Sequence, residues 1–211
     1  MKKKDSIAKQ YAEFELMQGR SPHSEFELCK EINLKEKTFY NHFNSLGAVR
    51  KYLLELPINE TLSRLDEDEN YEAFSANEKA LALFFTLFEE FMNHRSYLIS
   101  KYSSVKDVKH LAGDWENFFR QFNARMESII QEAKQNEEVV SRPYIGDYYA
   151  KSFKLVFLYI FRVWINDSSD KFQTTDAAIE KSVNLAFEFL GHSPLDSILD
   201  FGKFAMKTKV M

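Results

Sequence analysis

Between Lys35 and Phe43 the chain reads Lys-Glu-Lys-Thr-Phe-Tyr-Asn-His-Phe, and these side chains divide into two chemical sets. Phe39 and Phe43 stand four residues apart, on one side of a helix, where they can anchor it to a core. Lys35, Glu36, Lys37, Thr38, Tyr40, Asn41 and His42 are left for the other side. Lysine, hydroxyl and amide groups suit phosphate oxygens and base edges, and Glu36 suits a cytosine amino group. A plain surface helix of this length more often carries long charged residues than Thr, Tyr and Asn beside a lysine. An ordinary helical hairpin can also show the pattern through composition alone.

Bond-making chemistry finds less support. The six glycines (Gly19, Gly47, Gly113, Gly146, Gly191 and Gly202) are scattered, so no phosphate-cradling loop is expected. Neither G-x-S-x-G nor H-E-x-x-H occurs. His23, His42, His94, His110 and His192 never fall at metal-ligand spacing, and one cysteine cannot form a thiolate cluster. No catalytic residue, metal or cofactor is therefore expected. His42 fits a phosphate or turn contact better than a general base.

The elements that position residues 35–43 can be read around them. Ser24 with Glu27 forms a capping-box pattern, so a helix starts here with both residues satisfying backbone N–H groups. Phe26 with Cys29, and Leu28 with Ile32, give it one buried side. Asn33 tolerates the left-handed conformation at a helix end, and Leu34 follows as a buried plug. A second helix from Lys35 after so tight a turn makes a helix-turn-helix. Before it, a helix from an Asp5 cap to about Met17 carries Ile7, Tyr11 and Phe14 on one face and ends at Gly19. After it, Asn44-Ser45 make a turn. Ala48, Val49, Tyr52 and Leu53 then start a fourth helix, which is expected to break at Pro57.

At 211 residues the chain forms one or two domains with a substantial core. The formal charge is −4, which argues against indiscriminate nucleic-acid binding. Residues 1–52 nevertheless hold ten Lys/Arg against seven Asp/Glu, leaving a basic head on an acidic body. Lys2, Lys3 and Lys4 are either a solvated terminus or a phosphate-touching arm. No apolar run is long enough to span a membrane, and Met-Lys-Lys-Lys-Asp precedes no apolar stretch. With Cys29 as the single cysteine, a reducing, cytoplasmic location is expected.

Beyond the head the pattern is all-α. The acidic run 66–70 lacks the glycine and glutamate of a calcium loop and reads as a solvated connector. Ser75 with Glu78 is a second capping box, opening a helix that is apolar on most of its circumference. A short helix after His94 and a longer one from about Asp114 to Gln135 follow. Pro143 then suits the start of a helix reaching about Trp164. Its Leu-Val-Phe-Leu-Tyr-Ile-Phe stretch has strand propensity too, but no second strand exists to pair with it. Thr174-Thr175-Asp176 caps a further helix that ends at Gly191, and Ser193-Pro194 opens a last one with Leu195, Ile198, Leu199 and Phe204. Helices apolar nearly all round must either line a cavity or meet a second subunit.

The run Leu34–Ser45, preceded by Leu-Cys-Lys-Glu-Ile-Asn, resembles the DNA-binding signature of the tetracycline-repressor (TetR) family of bacterial regulators. Thr38, Tyr40, His42 and Phe43 stand where that family has T-x-Y-x-H-F. Leu28 and Cys29 stand at its Ile-Ala, and Leu34 at its Val. Asn33 replaces its turn glycine, Lys35 its N-cap serine, and Leu46-Gly47 a Lys-Glu pair whose lysine meets a phosphate. The likeness covers residues 6–54. It implies a three-helix DNA-binding head (1–54) on a helical bundle body (55–211) that encloses an effector and pairs with a second copy. The partners implied are a double-stranded DNA operator, a small apolar or aromatic effector and a homodimer mate, with the chain a repressor released by that effector. Candidate pocket residues are Phe85, Phe88, Trp115, Phe119, Phe122, Tyr149 and Phe153. The candidate pairing stripe is Ile179, Val183, Ala186 and Leu190, with Leu185 and Phe189 facing the chain's own body. An alternative is a helical dimer whose degenerate head serves as an interaction module, or which carries apolar molecules.

Overall fold

The computed structural model describes residues 3–103, 113–139 and 149–191. Within them the helices are α1 (Lys3–Gln18), α2 (Glu25–Glu31), α3 (Glu36–Tyr40), α4 (Leu46–Glu67), α5 (Ala76–Met92), α6 (Arg95–Tyr102), α7 (Glu116–Gln135), α8 (Tyr149–Asn166) and α9 (Gln173–Leu190). Single 3-10 turns occur at Tyr71–Ala73 and Asp170–Phe172. No strand occurs among the described residues, and Leu-Val-Phe-Leu-Tyr-Ile-Phe lies within α8. The expected helix starts at Pro143 and Ser193-Pro194 lie outside the described residues.

In the head, Ile7, Tyr11 and Phe14 of α1 close over Leu28, Cys29, Phe39 and Phe43, all buried. The Ser24 hydroxyl accepts from the Glu27 N–H at 3.2 Å, as the capping pattern requires. Glu27 itself turns outward, accepting from the His23 N–H and from Arg20 at 2.6 Å. The second half of the box is thus made one residue early. Asn33 has φ +50° and ends α2, and the Leu34 N–H closes the turn on the Cys29 carbonyl at 2.8 Å. Two placements differ from the sequence reading. Phe26 is 60% exposed, because α2 has seven residues and Leu28 and Cys29 fill its buried side. Leu34 is only half-buried at the edge of the core.

Helix α4 does not break at Pro57 but runs through it. A proline inside a helix leaves the carbonyl four residues back without its usual donor. Here Leu53, Leu54, Leu56 and Ile58 are all buried, so packing on several sides holds the helix together. The Thr61 hydroxyl donates to the Pro57 carbonyl at 2.7 Å. One continuous helix therefore runs from head to body. The acidic run is also not a free connector. Asp66 and Glu67 complete α4, and Asp66 pairs with Arg125 of α7.

The body packs α4, α5, α7, α8 and α9 around an aromatic core. Both halves of the Ser75–Glu78 capping box are made at the start of α5. Trp115 meets Phe118 at 5.0 Å and Phe161 at 5.2 Å between ring centroids, and Phe118 meets Phe157 at 5.0 Å. Edge-to-face and offset contacts of this kind are worth about 0.5–1.5 kcal/mol each beyond area burial. The start of α9 differs from expectation. Thr174–Asp176 lie inside the first turn, the N-cap position is Phe172 with no side-chain cap, and the Thr174 and Thr175 N–H groups are satisfied by Ser169 and Asp167 from the preceding loop. The Asp167 carboxylate accepts from the Thr175 N–H and hydroxyl and from the Ser169 N–H and hydroxyl.

Candidate nucleic-acid interface

The short α3 is held from beneath by aromatic rings. Phe39 and Phe43 are buried, 6.0 Å apart, and Phe43 meets Tyr52 of α4 at 5.5 Å. On the opposite side Lys35, Glu36, Lys37, Tyr40 and Asn41 are exposed, while Thr38 and His42 are half-buried. The two sets read from spacing thus fall on opposite sides of α3. Helix α3 has only five residues, and Lys35 makes no side-chain cap. Its continuation is a turn closed by the His42 and Phe43 N–H groups on the Phe39 carbonyl, at 2.9 Å each.

The Tyr40 phenol is held above its ordinary pKa by desolvation first, then by the negative charges of Glu25 and Glu36. It therefore remains a hydrogen donor. Glu25 has a second task. Its carboxylate accepts from the Leu46 N–H, the first of α4, at 3.2 Å. Ser45 caps the same helix end by accepting from the Ala48 N–H at 3.1 Å. A helix N-terminus attracts anions, and here the chain supplies its own.

A groove of about 420 Å3 runs beside the end of α3, bordered by Tyr40, Asn41 and His42, by Lys4 of the basic arm, and by Lys51, Glu55 and Asn117, which the sequence reading did not single out. Lys4 extends over the rings of Tyr52 and Phe43, at 4.2 and 5.2 Å. Lys51 borders the groove and pairs with Glu116 at 2.9 Å, and Asn44, Glu55 and Asn117 complete its polar rim. The spacing of Ala48, Lys51, Tyr52 and Glu55 on one face of α4 was the available signal for these neighbours.

In the body, the candidate pocket residues separate. Phe85 and Phe88 line a cavity of about 310 Å3 where α5 meets the α8–α9 elbow, together with Met92, Trp164, Phe172 and Ile179. Trp115, Phe119, Phe122, Tyr149 and Phe153 are instead buried in the packed core. The elbow itself is strained, since Lys171 and Phe172 both take positive φ, 48° and 61°.

A family model described as "Tetracyclin repressor-like, C-terminal domain" matches residues 79–205. This span covers more than half of the 211 residues. The chain belongs to the tetracycline-repressor-like family. No curated protein matches the chain significantly. The TetR-like match covers the body, and the head's likeness rests on the motif in residues 6–54.

Within this TetR-like body the expected pairing stripe faces the other way. Ile179 and Val183 are fully buried in the chain's own core, Leu190 is buried and Ala186 packs against it. Leu185 and Phe189, assigned to the chain's own body by the sequence reading, are 52% and 51% exposed. Leu155 and Tyr159 of α8 join them at 70% and 56%, along a groove of about 650 Å3. The reason is geometric. Helix α9 is apolar on two sides, and α5 and α8 cover the side bearing Ile179 and Val183. Among the described residues no helix is long and apolar enough to cross a membrane.

Proposed function

We propose that the chain is a TetR-type transcriptional regulator that binds operator DNA through α3 and represses until a small apolar or aromatic effector releases it. Residues 1–54 form the DNA-reading domain and 55–211 the effector-binding and dimerisation domain. The observation that carries the reading is the two-sidedness of α3: Phe39 and Phe43 sealed beneath, Lys35, Lys37, Tyr40 and Asn41 presented outward. Lys35 and Lys37 meet phosphates. Thr38, Tyr40, Asn41 and His42 reach phosphates or base edges, and Glu36 accepts from a cytosine amino group. The family match over the body supports the regulatory role, since proteins of this family are in general regulators rather than enzymes.

Two chains pair through the exposed α8–α9 face bearing Leu155, Tyr159, Leu185 and Phe189, making a four-helix interface. Pairing sets two recognition helices about 34–36 Å apart, one helical turn of DNA. The elbow cavity beside Phe85 and Phe88 is the candidate effector seat. An effector releases DNA if it binds the released form better.

The test is a gel shift of the purified protein on its own upstream DNA with scrambled competitor. A competitor-resistant shift supports the reading, and its absence removes it. One observation favours a second reading, a degenerate head that serves as an interaction module or apolar-molecule carrier. Glu25 places a carboxylate on the N-terminus of α4, next to Leu46-Gly47 where a lysine would meet phosphate. Absence of any shift from a folded dimer supports that reading.

A further inference from the structure

Among the described residues Phe26 is the most exposed aromatic side chain, at 60%, and Tyr40, at 52%, is the other exposed aromatic of the head. A lone exposed apolar side chain is ordinary on a protein surface, so its position must decide what it does. Helix α2 borders α1 on one flank, where Glu31 and Ile32 share a small groove with Gln10, Glu13 and Phe14. At 3.6 residues per turn Phe26 stands about 140° round the helix from Glu31, so it is turned away from α1. Its near neighbour on the wheel is the buried Cys29, about 60° away. Cys29 is on the α3 flank: the Glu36 charge raises its thiol pKa after burial does, and Glu25 and Glu36 act on the Tyr40 phenol in the same way. Phe26 therefore lies on the flank of α2 that borders the recognition helix.

The charges around the ring suit a polyanion. The two carboxylates beside it in sequence are already engaged, Glu25 with the Leu46 N–H and Glu27 with Arg20 at 2.6 Å. Lys30, one turn further along α2, is exposed, as are Lys35 and Lys37 at α3. One ring among lysines is too small an apolar area for a protein partner to dock on. A DNA major groove offers it a match of its own size. The base edges there carry donors and acceptors, and their one apolar group is the C5-methyl of thymine.

We propose that Phe26 is a specificity-determining residue of the head: its ring packs on the C5-methyl of a thymine next to the bases that α3 reads. The inference rests on the regulator reading and adds to it a base-reading side chain outside α3. Phe26 makes no hydrogen bond and carries no charge, so it discriminates by the methyl group alone.

The test is fluorescence anisotropy of the full chain on two versions of its own upstream duplex, with scrambled competitor. One version carries thymidine and the other deoxyuridine throughout, which removes the methyl groups and keeps every hydrogen-bonding edge. Wild type is expected to bind the thymidine duplex at least about fourfold more tightly, the value of burying one methyl group. Phe26→Ala is expected to lower that ratio at least about threefold, by weakening the thymidine complex and sparing the deoxyuridine one. The salt dependence of binding should not change, because no phosphate contact is lost. Helical signal and urea midpoint should also stay at wild type, since the ring is exposed. A ratio near one for wild type, an unchanged ratio in Phe26→Ala, or equal weakening on both duplexes overturns the proposal. So does a Phe26→Ala chain that unfolds, because the ring is then part of the core. A wild-type chain that binds neither duplex fails the regulator reading and takes this inference with it. Binding with an unchanged ratio overturns this inference alone.

Discussion

The carboxylate of Glu25, in the first turn of α2, accepts a hydrogen bond from the Leu46 backbone N–H, 3.2 Å away at the start of α4. Two helix starts separated by the whole of α3 are thereby fastened together. Glu25→Ala should lower the head's stability by about 1 kcal/mol, the usual value of a lost helix cap. Urea unfolding followed by tyrosine fluorescence checks this, and an unchanged midpoint would remove the fastening role.

Phe39 and Phe43 hold α3 from below and are both buried. Truncating either to alanine should cost about 3–5 kcal/mol, since a ring is removed from a small core. The head is expected to melt before the body in a thermal scan. A variant that retains full helicity and DNA binding contradicts the placement.

The two sides of α9 make opposite predictions. Val183→Glu buries a charge in the chain's own core and should unfold the body. Leu185→Glu or Phe189→Glu alters only exposed positions, so the fold should survive while light scattering reports monomers. A wild-type chain that is monomeric at tens of micromolar contradicts the pairing.

That reversal shows what the sequence could and could not convey. Capping chemistry is local, so Ser24, Ser75 and the left-handed Asn33 were legible from a few residues each. So was the division of α3, because its two rings are four apart with polar neighbours on every other side. The orientation of α9 was not, because Ile179–Val183 and Leu185–Phe189 are equally apolar stripes and only tertiary contacts with α5 and α8 choose between them. Pro57 misled because the rule for isolated helices was overridden by burial of its neighbours. The contact at the start of α9 was missed because Asp167 reaches the Thr175 N–H from eight residues before it. Of the candidate site, the outward face of α3 was readable. The ion pair of Glu15 with Lys101, and the hydrogen bonds of Arg95 to the Trp164 and Asp167 carbonyls, join residues far apart in sequence and carry no local pattern.

His94 offers a pH signature. Burial first, then the nearby charge of Lys9, push its pKa down to about 4, with Glu90 opposing. The unfolded chain takes up this proton near pH 6.5 while the folded chain resists it. Its contribution to stability is therefore fully present above about pH 6.5 and is lost as pH falls toward about 4. His94→Gln should flatten the stability profile across that window in urea titrations. A slope equal to wild type shows that His94 is not the group responsible.

The measurement closest to the central claim is fluorescence anisotropy of a labelled duplex from the chain's own upstream region, titrated at several salt concentrations. Wild type should bind with competitor-resistant affinity. Lys37→Ala should weaken binding and reduce the slope of log affinity against log salt by about 0.9, one phosphate contact. Tyr40→Phe should weaken binding with little change in slope. If both variants retain wild-type affinity and slope, or if the folded wild-type protein binds no duplex, α3 is not a DNA-reading helix.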